Sequence, residues 1–151
     1  MASLLHPQIS PDGKWFAYES NETGRSEIYV QSFPPGGGKW QISSSGGTFA
    51  RWRPDGKELF YMENPNFGKV VAVAIRAAGS TFEFSAPRPL FDSGYLTNAR
   101  AGQIENWNTF DVSADGQRFL IPRPESTNVT GALANTPITV VLNWTAALRK
   151  K

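Results

Sequence analysis

A chain of 151 residues has the length of one domain and can bury a sizeable core. Its net charge of +2, from 15 basic and 13 acidic residues, is too small to steer a polyanion, and the one dense basic run, Arg149-Lys150-Lys151, reads as a solubilising tail; nucleic acid is not an expected partner. The lack of Cys excludes disulfides and thiolate chemistry, and no window approaches the ~18 apolar residues of a membrane span, so a soluble chain without signal peptide or membrane partner is expected, its compartment unknown.

Aromatic residues make up 13% of the chain, beside 14 Gly and 11 Pro, a composition that predicts many short strands joined by tight turns and almost no helix. In chain order, Ser10-Pro11-Asp12-Gly13 is a turn, followed by strands over Trp15–Tyr18 and Glu27–Phe33 that the Asn21–Gly24 turn connects. Pro34-Pro35-Gly36-Gly37-Gly38 then breaks the chain before a short outer strand, Lys39–Ser43. The order repeats with Thr48–Trp52, a second turn at Pro54-Asp55-Gly56, then Glu58–Met62 and Val70–Ile75. The outer element is expected at Phe82–Phe84 or at Arg88–Phe91. A third copy has Thr109–Val112, a turn at Ala114-Asp115-Gly116, Arg118–Ile121 and Ile138–Leu142, with no fourth strand evident.

The turns mark an internal repeat. Asp12 and Asp55 lie 43 residues apart, which suits a four-stranded propeller blade of ~40–45 residues. Asp55 and Asp115 lie 60 apart, which requires an insertion, placed at about 92–106. The expected fold is all-β, a partial β-propeller of three antiparallel blades in one domain over 1–151: blade 1 at about 4–44, blade 2 at about 47–91, blade 3 at about 107–143 and a tail at 144–151. Propellers commonly close with four to eight blades, so three expose two sheet faces, and a homodimer closing a six-bladed ring is the expected partner arrangement.

Ser-Pro-Asp-Gly before an apolar strand and Ile28-Tyr29-Val30 after it resemble the WD40-like repeat named for its Pro-Asp pair, as found in TolB-like propellers. More narrowly, Gly38–Ser43, Trp52–Tyr61, Phe110–Leu120 and Pro137–Trp144 are similar to the C-terminal propeller part of bacterial sensor proteins fused to serine/threonine kinases. The resemblance implies a bacterial source and a non-catalytic module that recognises a protein or small ligand on a propeller face. It departs from its relatives in having three blades where they carry six or more, and in lacking a kinase motif.

Candidate sites emerge from the repeat. Asp12, Asp55 and Asp115 recur at one position and could hold a hard cation such as Ca²⁺, but Pro-Asp-Gly already accounts for each Asp as the residue that satisfies its own turn, with Gly13, Gly56 and Gly116 supplying positive φ. Innermost strands precede the turns, so Arg51, Asn108 and Asp111, with Tyr95, Arg100, Glu105 and Asn106 in the insertion and Trp107 beside them, are the expected channel-facing residues. Among these, Arg51, Tyr95, Arg100, Trp107 and Asn108 are the ligand-binding candidates, and Glu105, Asn108 and Asp111 the possible Ca²⁺ ligands. Glu105 and Asp111 are also the base candidates for the alternative activity, a metal-dependent hydrolase opening lactones or esters. Strand alternation prevents all these oxygens from meeting on one face. His6, the only histidine, reads as a surface or edge-strand imidazole, and no nucleophile elbow is present.

Overall fold

The computed structural model describes residues 4–63, 68–79, 81–92, 110–122 and 138–142. These residues form strands and turns only. Blade 1 contains β1 (Leu4–Ile9), β2 (Trp15–Ser20), β3 (Glu27–Ser32) and β4 (Lys39–Gln41), paired in that order as an antiparallel sheet. Blade 2 contains β5 (Thr48–Trp52), β6 (Glu58–Glu63) and β7 (Lys69–Ala78), then β8 (Thr81–Phe84) and β9 (Arg88–Asp92). Blade 3 contains β10 (Asp111–Val112), β11 (Arg118–Pro122) and β12 (Ile138–Leu142). The chain is thus all-β, a partial propeller with three meander sheets.

Both candidates for the outer element of blade 2 are used. The ten-residue β7 is long enough for two partners: β9 pairs with Lys69–Ala72, while β8 folds back on Ile75–Ala78. Pro89 is tolerated because β9 lies at the sheet edge, where a missing N–H costs no ladder bond.

Alternation sorts the side chains onto two faces of each sheet. Trp15, Ala17, Ile28 and Val30 of blade 1 meet Leu59, Tyr61, Val71, Val73 and Ile75 of blade 2 in one buried cluster. The opposite face of blade 2, with Phe60, Met62, Val70 and Ala72, meets Phe110, Phe119 and Ile121 of blade 3 in a second. Blade 2 is therefore the central layer, buried on both faces, which is why β6 and β7 read as near-continuous apolar runs. Phe82 of β8 reaches over blade 1, its ring 4.9 Å from those of both Trp15 and Trp40.

Two buried carboxylates tie blade 1 to the start of blade 2. Glu27, fully buried, accepts the Gly46 N–H at 3.0 Å and Arg25 Nε at 2.6 Å, and also the Ser43 hydroxyl. Glu19 accepts the Phe49 N–H at 2.6 Å and His6 Nδ1–H at 2.8 Å. His6 and Phe49 are repeat equivalents, 43 residues apart. Each carries positive φ (49° and 56°) where the register of its inner strand slips against the next. The bulge is part of the repeat, and Glu19 fastens both copies.

Candidate functional site

The three Pro-Asp-Gly-type turns gather at one end of the blades. Asp12 Oδ1 accepts the Lys14 N–H at 3.1 Å and the Ser10 hydroxyl at 2.6 Å. Asp55 Oδ1 accepts the Lys57 N–H at 3.0 Å, and Asp115 Oδ1 accepts the Gln117 N–H at 3.0 Å. Gly13, Gly56 and Gly116 have φ of 72°, 72° and 69°. Successive turns also touch. A Cβ on Gly56 would come within 3.9 Å of Pro11, and one on Gly116 within 2.7 Å of the Arg53 side chain.

Between the first two turns lies a cleft of about 360 Å³. Trp15 and Trp52 line its interior, Asp12, Asp55 and Lys57 come from the turns, and Ile75, Arg76 and Ala77 come from the half of β7 that pairs with β8. Trp52 is fixed by its indole N–H, which donates to the Gln8 carbonyl at 3.0 Å. The buried indole N–H of Trp15 has no hydrogen-bond partner among the described residues.

Both cleft carboxyls sit below their ordinary range. Burial alone would raise Asp12, but the Ser10 hydroxyl and the Lys14 N–H outweigh it. Asp55 is held at about 2, chiefly by Arg53, whose Nε and Nη2 lie 2.6 and 2.5 Å from its oxygens. At neutral pH both are therefore anionic, with the cationic Lys57 and Arg76 on the same cleft. Among the described residues, no three His, Asp or Glu side chains come together as a metal-ligand set.

Arg51 and Asp111 occupy one repeat position, and Gln8 is their equivalent in blade 1. Arg51 pairs across the ladder with Phe60, which places it on the face that meets blade 3. There its Nε donates to the Phe110 carbonyl at 3.2 Å and its Nη1 to the Ala50 carbonyl at 2.8 Å. Burial lowers the guanidinium pKa, and the charges of Asp111 and Glu19 pull it back up. The exposed Asp111 accepts the Val112 N–H at 2.8 Å. Tyr95, Arg100, Glu105, Asn106, Trp107 and Asn108 lie outside the described residues. Sequence reasoning missed the cleft and the two structural carboxylates. Glu19 was discoverable: its repeat equivalent is Met62, a core residue, so a charge there demands partners.

No known sequence family matches the chain, and no curated protein does. Among solved structures it is similar to a candidate 6-phosphogluconolactonase from Bacteroides uniformis, with a TM-score of 0.52 and 17% identity over 93% of this chain and 41% of that one. It is also similar to TolB from Acinetobacter baumannii, with a TM-score of 0.43 and 21% identity over 93% of this chain and 44% of that one. The chain spans about two fifths of the length of these structures. At such identity the first likeness bears on the fold, which is propeller-like.

Proposed function

We propose that the chain is a non-catalytic binding module that takes a protein segment or a small polar ligand on the turn face, in the cleft between blades 1 and 2. The cleft itself carries this reading: two indole walls beneath a rim of two anionic and two cationic side chains suit a ligand with mixed polarity, such as a peptide backbone with charged ends. The carboxylates within it act as turn acceptors, a fixed electrostatic frame rather than a proton-transfer pair. The resemblance of Gly38–Ser43, Trp52–Tyr61, Phe110–Leu120 and Pro137–Trp144 to kinase-fused sensor propellers agrees with a recognition role.

The test is a titration of ¹⁵N-labelled protein with mixed tetrapeptides and with sugar acids. Shifts should concentrate on the Trp52 indole and on the Lys57 and Arg76 amides, and Lys57→Ala with Arg76→Ala should weaken binding about tenfold or more. Unmoved resonances at millimolar ligand in a folded sample overturn the reading.

The alternative is hydrolysis of lactones or esters with Ca²⁺, which the name borne by the Bacteroides uniformis neighbour favours. Asp111, with Glu105 and Asn108, supplies the oxygen donors for it. Ring opening of a lactone panel with Ca²⁺, abolished by EDTA and by Asp111→Ala, replaces the binding reading; no turnover removes the alternative.

A further inference from the structure

The repeat builds two joints between successive blades, and their chemistry differs. At the first, Ser10 and Trp15 of blade 1 meet Trp52 and Lys57 of blade 2 around the cleft. At the second, the same repeat positions carry Arg53 and Glu58 of blade 2, and Val112 and Gln117 of blade 3. There the Arg53 side chain packs against Gly116, and its Nη1 donates to Glu58 at 2.7 Å. The repeat can therefore join blades without two indoles and a lysine at these positions.

The charges around the cleft do not cancel. Arg53 holds both oxygens of Asp55, which also accepts the Lys57 N–H. Asp12 accepts the Ser10 hydroxyl and the Lys14 N–H, with the Lys14 charge close by. The side chains of Lys57 and Arg76 are exposed on the cleft and make no hydrogen bond or ion pair among the described residues. Glu83, the ladder partner of Arg76, makes none with it. The charge left uncommitted is thus positive. In the wall, Trp15 is 3% exposed, and its indole N–H has no partner among the described residues. An unpaired buried donor favours a ligand that brings an acceptor to it.

We infer that the cleft takes a small organic acid, a peptide C-terminus included, whose carboxylate lies between Lys57 and Arg76 and whose flat or apolar body lies on the indoles. This rests on the binding reading above and narrows it, because the two aspartates that would receive a cationic group already have partners. A guanidinium and an ammonium suit a planar carboxylate, whereas phosphate sites commonly gather several free backbone N–H groups. Here the N–H groups of Gly13, Lys14, Gly56 and Lys57 are all bonded within their own turns.

Titration of the ¹⁵N-labelled chain with phenylacetate, phenylacetamide, N-acetyl-alanyl-phenylalanine and the C-terminal amide of that peptide tests the inference. An acid should bind about tenfold or more tightly than its amide and move the indole N–H resonances of Trp15 and Trp52. Lys57→Gln with Arg76→Gln, at exposed positions outside both cores, should abolish the preference for acid over amide. A preference confined to phenylacetate makes the ligand a small free acid, and one confined to the peptide makes it a C-terminus. Equal binding of acid and amide overturns the inference and leaves the binding reading standing, as does a response to C-terminally amidated tetrapeptides with none to either acid. Acid binding that leaves both indoles unmoved overturns it too, and so does phenyl phosphate binding more tightly than phenylacetate. Silence from every probe, tetrapeptides included, overturns both readings.

Discussion

At the scale of single residues, Gly13 and Gly116 separate two costs that usually arrive together. Both have φ near 70°, but a Cβ on Gly13 meets nothing within 4 Å, whereas one on Gly116 meets Arg53 at 2.7 Å. Gly13→Ala should therefore lose about 1 kcal/mol in urea unfolding, the left-handed backbone alone, and Gly116→Ala about 2. Glu27→Leu strands the Gly46 N–H and the Ser43 hydroxyl in a buried site, and a loss of about 2–4 kcal/mol is expected in the same assay. Asp55 brings a pH dependence. Its folded pKa, about 2, lies below the ordinary 3.8, so its contribution is complete above pH 4 and disappears as pH falls toward 2. The side chain is 40% exposed, so solvent screening holds the effect under about 1 kcal/mol. Melting temperatures between about pH 5 and pH 2 should fall less steeply for Asp55→Asn than for the parent chain. The turn glycines and aspartates were legible in sequence because their constraints are local. The repeat marks Glu19 as a charge at a core position, but the partners of Glu19 and Glu27 were not legible, because positions 6, 43, 46 and 49 are brought near only by the fold.

Among the elements, β1 (Leu4–Ile9) was not named from the sequence, whereas the second and third strands announced themselves through apolar runs after each turn, and the inner strands of blades 2 and 3 just before it. The outer position of blade 2 did not. Phe82–Phe84 and Arg88–Phe91 are equally strand-like, and nothing local reveals that β7 is long enough to pair with both. The choice rests on tertiary packing, with Phe82 filling the gap between Trp15 and Trp40. Phe82→Ala should cost about 3 kcal/mol and release β8, so that amide exchange quickens at Ile75–Ala78 more than at Lys69–Ala72, where β9 still pairs.

For the whole molecule, stability is shared between two inter-blade cores, and Arg51 bridges the second. Arg51→Ala removes its bond to the Phe110 carbonyl. Hydrogen exchange in β11 should then rise about tenfold while β6, still packed against blade 1, changes little. Residues on the innermost strand were expected to face a channel because that strand lies nearest the axis. Pleating instead turns alternate side chains sideways, so Arg51 serves the joint between sheets. The cleft was illegible for a related reason: its walls come from two blades and a hairpin, and no single stretch of sequence contains it.

The hairpin of β7 and β8 has a further consequence. It projects beyond the ladder shared with β9, is moored by Phe82 and Ile75 in the core between blades 1 and 2, and supplies Ile75, Arg76 and Ala77 to the cleft wall. Its exposed positions can therefore drift without disturbing either core. On the proposed binding reading, Arg76 and Ala77 lie on the exposed rim while Ile75 beside them belongs to the core, so a lineage could change what it captures by editing a few residues at that rim and inherit the scaffold unaltered.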